Sequence, residues 1–301
     1  VYVNGTEIQR PQLARSGQQE GMSFVNPDLV GRINFSNGGF EAKYGDKMSS
    51  VLDIQYRKPK SFAGTVSAGI LGQSVALEGG TPNHRLTYLF GVRNKTNQLL
   101  LSSQETKGEY IPHFTDVQFF TTYDVTDKFQ LQAIGNYSNT QYKFQPNLRE
   151  TSFGLINKLL RLTVYYDGQE IDRFQSGMAG LAGVYTKNEK LKMKWMTSVF
   201  QTNESETFDI LGEYYIGEVE TDITKPTFNK IKKSLGVGGS QDYARNNLSA
   251  TVANATWKGS YEQKPYLIQW GVTAQKELIN DQLKEWHRTD SAGYSLTYDT
   301  S

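Results

Sequence analysis

Apolar and polar side chains alternate, residue by residue, along most of this chain. In residues 85–94, Leu86, Tyr88, Phe90 and Val92 alternate with Thr87, Leu89, Gly91 and Arg93. In 129–139, Phe129, Leu131, Ala133, Gly135 and Tyr137 face away from Gln130, Gln132, Asn136 and Ser138. In 191–201, Leu191, Met193, Trp195 and Val199 oppose Lys192, Lys194 and Ser198. In 265–276, Tyr266, Ile268, Trp270, Val272 and Ala274 oppose Gln269, Thr273 and Gln275. A period of two marks strands with one apolar face. Similar stretches near 62–78, 115–125, 159–167, 176–186, 207–217 and 244–257 bring the count after residue 60 to roughly ten strands, each about ten residues or longer. Helical periodicity is hard to find.

The connectors alternate in style. The segments 125–128 (VTDK) and 186–190 (TKNEK) are tight polar turns that suit hairpins. Between them lie long polar connections at 95–113, 144–156 and 219–242. Aromatics sit near the ends of apolar faces, at Tyr123, Tyr137, Tyr166, Tyr214 and Trp257. Long strands, short turns on one side, long loops on the other and aromatic girdles describe a transmembrane β-barrel. A soluble β-sandwich, whose strands usually run about 5–6 residues, is the competing architecture.

Composition narrows the chemistry. Mean hydropathy is −0.55, which suits strands apolar on one face only. No run approaches the ~18 apolar residues of a membrane helix. Charge is nearly balanced, with 32 basic and 31 acidic residues, so nothing points to nucleic acid. No cysteine excludes disulfides and thiolate sites. Three scattered histidines, His84, His113 and His287, are too few for a histidine metal cluster. No nucleophile elbow, Walker-type loop or zincin signature occurs, so no enzyme is expected. The glycine-rich run 236–241 lacks the spacing of a nucleotide loop and reads as a turn. Glu204 with Glu206, and Glu218 with Glu220, suggest solvated charges in outer loops, or calcium ligands there; no other cofactor is expected.

The first sixty residues read differently. Asn4-Gly5 is a hairpin turn between two short β runs. A polar stretch, a strand at 29–35, a glycine-centred loop and a strand at 51–59 follow. Gly38, Gly39 and Gly45 suggest positive φ or tight packing.

Here the residues resemble a family. SNGGFEAKYGDKMSSVLDIQYRKP, with Gly38, Gly39, Phe40, Ala42, Tyr44, Gly45, Ser49 and Ser50, is similar to the end of the plug domain of TonB-dependent outer-membrane receptors of the Bacteroidota type. VYVNGTEIQRP resembles a plug hairpin of the same family, and segments such as GQEIDRF and LINDQLKEWHRTDSAGYSL resemble its barrel strands and loops. The resemblance implies an all-β chain. Residues 1–59 would be the C-terminal part of a plug and 60–301 the first half of a barrel of about 22 strands. It further implies the outer membrane of a Gram-negative bacterium, contact with outer-membrane lipids, and TonB-dependent uptake of a siderophore, glycan, peptide or similar large nutrient. The TonB–ExbB–ExbD complex would be the energising partner, through a TonB box that these residues do not include.

A plug in a polar lumen needs polar contacts. Arg32, Glu41, Asp53 and Arg57 are the expected plug contacts, with Arg93, Lys192, Lys194, Asp209 and Glu213 as inward-facing partners. Asp281, Glu285, Trp286, Asp290 and Tyr294, in an expected outer loop over 276–301, mix carboxylates and aromatics and are the candidate contacts for a ligand or partner. A surface lipoprotein or other envelope proteins are further candidate partners. Two other readings stay open: a receptor-like barrel acting as a structural subunit of an outer-membrane assembly or secretion complex, and a soluble β-rich carbohydrate-binding module.

Overall fold

The computed structural model describes residues 1–9, 23–39, 41, 43–45, 48–102, 108–155, 158–291 and 294–295. It is nearly all β, in two sheets. The smaller sheet has the order β2-β1-β4-β3, from β1 (Tyr2–Val3), β2 (Thr6–Glu7), β3 (Val30–Asn37) and β4 (Ser50–Tyr56). Asn4 and Gly5 turn β1 into β2 with φ of 49° and 81°. That is the geometry Asn-Gly favours in two-residue hairpins. β1 then runs parallel to β4, Tyr2 opposite Asp53 and Val3 opposite Ile54.

The larger sheet is an antiparallel meander. Its successive lines are β5 (Ala63–Gly69), β6 (Gly72–Gly80), β7 (Leu86–Lys95), β8 (Gly108–Thr126), β9 (Phe129–Pro146), β11 (Lys158–Thr186), β12 (Leu191–Val219), β13 (Ile231–Gln263) and β14 (Tyr266–Gln282). β10 (Arg149–Leu155) carries on the line of β9 along β11. β15 (Glu285–Ser291) carries on the line of β14 along β13, and β16 (Tyr294–Ser295) pairs with β15. The sheet is open. Among the described residues β5 pairs only with β6, and β14 only with β13.

The large sheet is dressed inside out. Tyr88, Phe90, Phe119, Leu131, Tyr137, Leu181, Trp195, Val199, Trp257 and Val272 share one face, each 38–66 % exposed. Arg93, Asp116, Gln118, Thr122, Ser138 and Ser176 on the other face are buried. The small sheet lies against that second face. Val3, Phe24, Leu29, Ile54 and Tyr56 pack there on Leu89, Phe120, Ile134, Met178 and Phe200. On the outer face several rings lie across glycines of the neighbouring strand. A Cβ on Gly135 would come within 2.1 Å of the Phe119 ring, and one on Gly259 within 2.2 Å of Trp270. Glycine there lets the ring lie flat on the sheet.

The outer face changes character along the strands. One register row joins Gln73, Asn94, Thr115, Asn139, Gln175, Asn203, Ser249 and Asn280, amide or hydroxyl at every position. Below it, toward the short connections at 81–85, 127–128, 187–190 and 264–265, the same face is mostly apolar. The strand ends are staggered. The end of β6, Gly80, lies seven residues from Gln73, and the end of β14, Tyr266, lies fourteen from Asn280. Seven strand steps separate them, so the ends descend one residue per strand. At about 3.3 Å per residue and about 4.8 Å between strands, this is a tilt of about 35°.

Among the described residues, the connection expected at 144–156 and the loop expected over 276–301 are mostly strand, and those expected at 95–113 and 219–242 are strand in part, the first with a short helix at Gln98–Ser102. β8 begins at Gly108, β10 fills 149–155, β13 begins at Ile231, and β14 and β15 run through 266–291 with a break at 283–284. The glycine-rich run 236–241 is part of β13, not a turn. Above the polar row both faces carry polar groups, so the alternation fades while the backbone ladder continues.

Candidate functional site

The contact between the two sheets is a polar clasp. Arg93 on β7 and Asp116 on β8 are direct cross-strand neighbours. Arg93 donates to Asp116 Oδ2 from Nε at 2.9 Å and from Nη2 at 2.6 Å. Its remaining donors reach the N-terminal chain, Nη1 to the Val25 carbonyl at 2.8 Å and Nη2 to the Ser23 carbonyl at 3.1 Å. Gln118, two residues beyond Asp116, donates to the Phe24 carbonyl at 2.5 Å and accepts from the Tyr56 hydroxyl at 2.8 Å. Arg93, Asp116 and Gln118 are all 5 % exposed or less. A buried charge pair needs such full hydrogen bonding to offset its desolvation. Burial first, and then the charge of Asp116, push the Tyr56 hydroxyl above its ordinary pKa, so it stays a donor.

Local sequence presents the carbonyls. The Asn26 side chain accepts from the Asp28 N–H at 3.1 Å and opens a 3-10 turn over Pro27–Leu29. Leu29 then packs over Gly91, where a Cβ would come within 3.3 Å of it. A second fastening holds the hairpin: Lys194 Nζ donates to the Asn4 carbonyl at 2.6 Å. A third pairs Arg57 with Glu78 of β6 at 2.8 Å.

Of the four charged residues expected to reach across, Arg57 contacts the large sheet. Arg32 bonds Asn34 at 3.1 Å, Glu41 pairs Lys43 at 3.0 Å, and Asp53 accepts from the Tyr44 hydroxyl at 2.8 Å, all within the N-terminal unit. On the large sheet, Arg93 and Lys194 reach backbone carbonyls of the N-terminal unit rather than its charged side chains. Lys192 is exposed. Asp209 and Glu213, read as inward, lie instead on the outer face, in the same alternation as Trp195 and Val199. Asp209 there meets Gln241 at 3.0 Å and Arg245 at 3.6 Å. Gly38 and Gly39 have positive φ, and Gly38 N–H bonds the Ser49 carbonyl at 3.1 Å beside the Asn37–Ser50 pair. Gly45 shows neither positive φ nor a close neighbour. Tyr44 packs on Tyr2 with ring centroids 5.3 Å apart. Phe40 and Ala42 lie outside the described residues.

The candidate loop residues are strand residues. Trp286 stacks on Tyr243 across the β13–β15 ladder, centroids 5.0 Å apart and planes 11° apart. Glu285 accepts from Asn246. The Asp290 carbonyl lies 3.5 Å from the Tyr214 hydroxyl. Asp281 is exposed on β14, and Tyr294 is in β16. Of the acidic pairs, Glu218 meets Lys232 at 3.0 Å and Glu220 meets Lys225 at 2.9 Å. Lysines thus occupy the places a cation would take. Glu206 falls instead with Glu170 and Asp172 on β11 and β12, with a carboxylate oxygen of each within 4.8 Å of the others.

Asp116, Gln118 and Glu78 went unread in the sequence. Arg93 lies 23 residues from Asp116, and Phe24 lies 94 from Gln118, and no local pattern encodes that.

No protein-family model matches the chain, and no curated protein is similar to it. Among solved structures, the crystal structure of the siderophore receptor PiuA from Acinetobacter baumannii is similar at a TM-score of 0.32 and 9 % identity, over 95 % of this chain and 54 % of that one. The chain thus spans about half the length of that receptor.

Proposed function

We propose that this chain is the plug end and first barrel strands of an outer-membrane receptor for a large nutrient. The carrying observation is the inverted sheet: an exposed apolar face, and a polar face covered by the N-terminal unit. A soluble sandwich buries the apolar faces of its sheets. A membrane barrel turns them to lipid and keeps a polar lumen. Three features support the reading. The apolar stretches run from seven residues on β6 to fourteen on β14, around the length of about 9–11 that a tilted membrane strand needs. The tilt of about 35° is that of closed barrels. The N-terminal unit covers the polar face, and its 36–59 segment resembles the end of the plug of TonB-dependent receptors. Uptake then needs no covalent chemistry. A ligand is bound outside, the plug is remodelled by a pull from the periplasm through TonB, and the clasp at Arg93 and Gln118 is part of what must yield.

The test is purification of the parent protein from the outer-membrane fraction of its host. The expected result is a species that requires detergent, shifts mobility on boiling, and loses nutrient uptake when TonB is deleted. A monodisperse protein in detergent-free buffer would sink the membrane reading. A detergent-requiring protein with TonB-independent growth, co-purifying with envelope partners, would replace uptake with a structural role.

A further inference from the structure

Above the polar row, the outer face of β11, β12, β13 and β15 forms a cleft that the clasp does not use. Two adjoining hollows, about 590 Å³ and about 400 Å³, share Leu211 and Gln241 in their walls. Aromatic pairs flank the hollows, with Tyr215 in the wall of the second. In one pair, Tyr243 is stacked with Trp286, and the Arg245 guanidinium lies 4.2 Å from the Tyr243 ring centroid. In the other, Tyr165 and Tyr215 meet edge to face at 5.6 Å, 52 % and 40 % exposed. Between them the register places Asp209 beside Tyr243, Gln241 between Leu211 and Arg288, and Glu213 across Gly239 from Asp290. Gly168 and Gly239 leave the floor without side chains. At Gly168, φ is +104° and a Cβ would come within 1.8 Å of the Asp209 carbonyl oxygen.

Flat aromatic faces beside fixed carboxylates, carboxamides and guanidinia match the two surfaces of a sugar ring, its C–H face and its equatorial hydroxyls. An apolar partner would leave these polar groups unpaired at a cost. Four carboxylates (Asp167, Asp209, Glu213, Asp290) against two guanidinia (Arg245, Arg288) line the hollows, which disfavours phosphate or uronate. We propose that this outer flank is a binding site for an uncharged or amine-bearing oligosaccharide. The chemistry of the cleft stands without the membrane reading. The source of the sugar rests on it: on a membrane barrel the cleft faces the distal saccharides of outer-leaflet lipopolysaccharide, as well as free glycans.

The test titrates the full-length protein with soluble chitin and malto-oligosaccharides, and with lipopolysaccharide carrying or lacking its distal polysaccharide. Calorimetry and tryptophan fluorescence are the readouts. The expected result is saturable binding, a Trp286 signal change, and at least tenfold weaker binding in Trp286→Ala and Arg288→Ala with unchanged thermal unfolding. Binding of the free oligosaccharides alone assigns a free glycan. Dependence on the distal polysaccharide assigns the leaflet. No saturable binding to any probe, or binding that both variants and Asp209→Asn leave unchanged, overturns the site. Detergent dependence is scored separately, so a failed cleft and a failed membrane reading give different results.

Discussion

The clasp rests on a few side chains, and one substitution separates its parts. Asp116 is fully buried and carries two hydrogen bonds from Arg93. Asp116→Ala leaves that guanidinium buried without its counter-charge, a loss of about 3–5 kcal/mol. Asp116→Asn keeps an acceptor and should lose less. Urea titration of the protein in vesicles, with protease cleavage of the N-terminal unit as the local readout, checks the order wild type, Asn, Ala. Equal midpoints for all three would mean the pair holds nothing. At this scale the sequence was legible where the chain is local. Asn4-Gly5 reads as a turn because two positive φ angles in succession suit few other pairs. Arg93 was expected to face inward, but its carbonyl partners at Ser23, Phe24 and Val25 were not legible, because a backbone carbonyl carries no residue-type signal.

Among elements, the ribbon that joins β12 and β13 carries a cluster of paired charges that responds to pH. In the loop over 220–230, Glu220 accepts from Lys225 and from the Asp222 N–H, which hold its carboxyl below the usual carboxylate range. The Thr224 hydroxyl and N–H do the same for Asp222. A carboxyl lowered in the folded state stabilises above its unfolded pKa, and that contribution is lost as pH falls through the lowered value. Lys225 is raised by Glu220 and contributes until pH climbs through its raised value. Hydrogen-exchange protection across 220–230, corrected for the intrinsic pH dependence of amide exchange, should therefore be greatest near neutrality and fall in acid. Lys225→Met should reduce the acid dependence and leave the part that Thr224 gives Asp222; an unchanged profile in that variant would assign it elsewhere. In the apolar band, Leu181 is 66 % exposed on the outer face of β11. On the membrane reading, Leu181→Arg costs about 2–4 kcal/mol in lipid, read as a lower urea midpoint in vesicles, with Leu181→Phe near neutral. Equal midpoints would place this face in water. Strand positions within the band were legible from alternation alone. The upper parts of β12 and β13 were not, because a strand with two wet faces has no apolar period. Asp209 and Glu213 were assigned to the wrong face for the same reason.

For the whole molecule, the two sheets were legible as an N-terminal unit and a run of antiparallel strands, and the open edges were not. β14 offers 17 residues of backbone whose outer side has no ladder among the described residues, and β5 offers seven more. In water such edges invite pairing with other chains. In hydrocarbon each bare N–H or C=O costs several kcal/mol, and about half the groups on each edge are bare. That sum sets an order of assembly. On the membrane reading, these strands would not enter a bilayer hairpin by hairpin as a free sheet, each waiting for the next. They would cross either with their edges lent to another protein's strand, or in one step with the strands that pair those edges. On the first route the inserting machinery would present a strand edge of its own, and let go of it last.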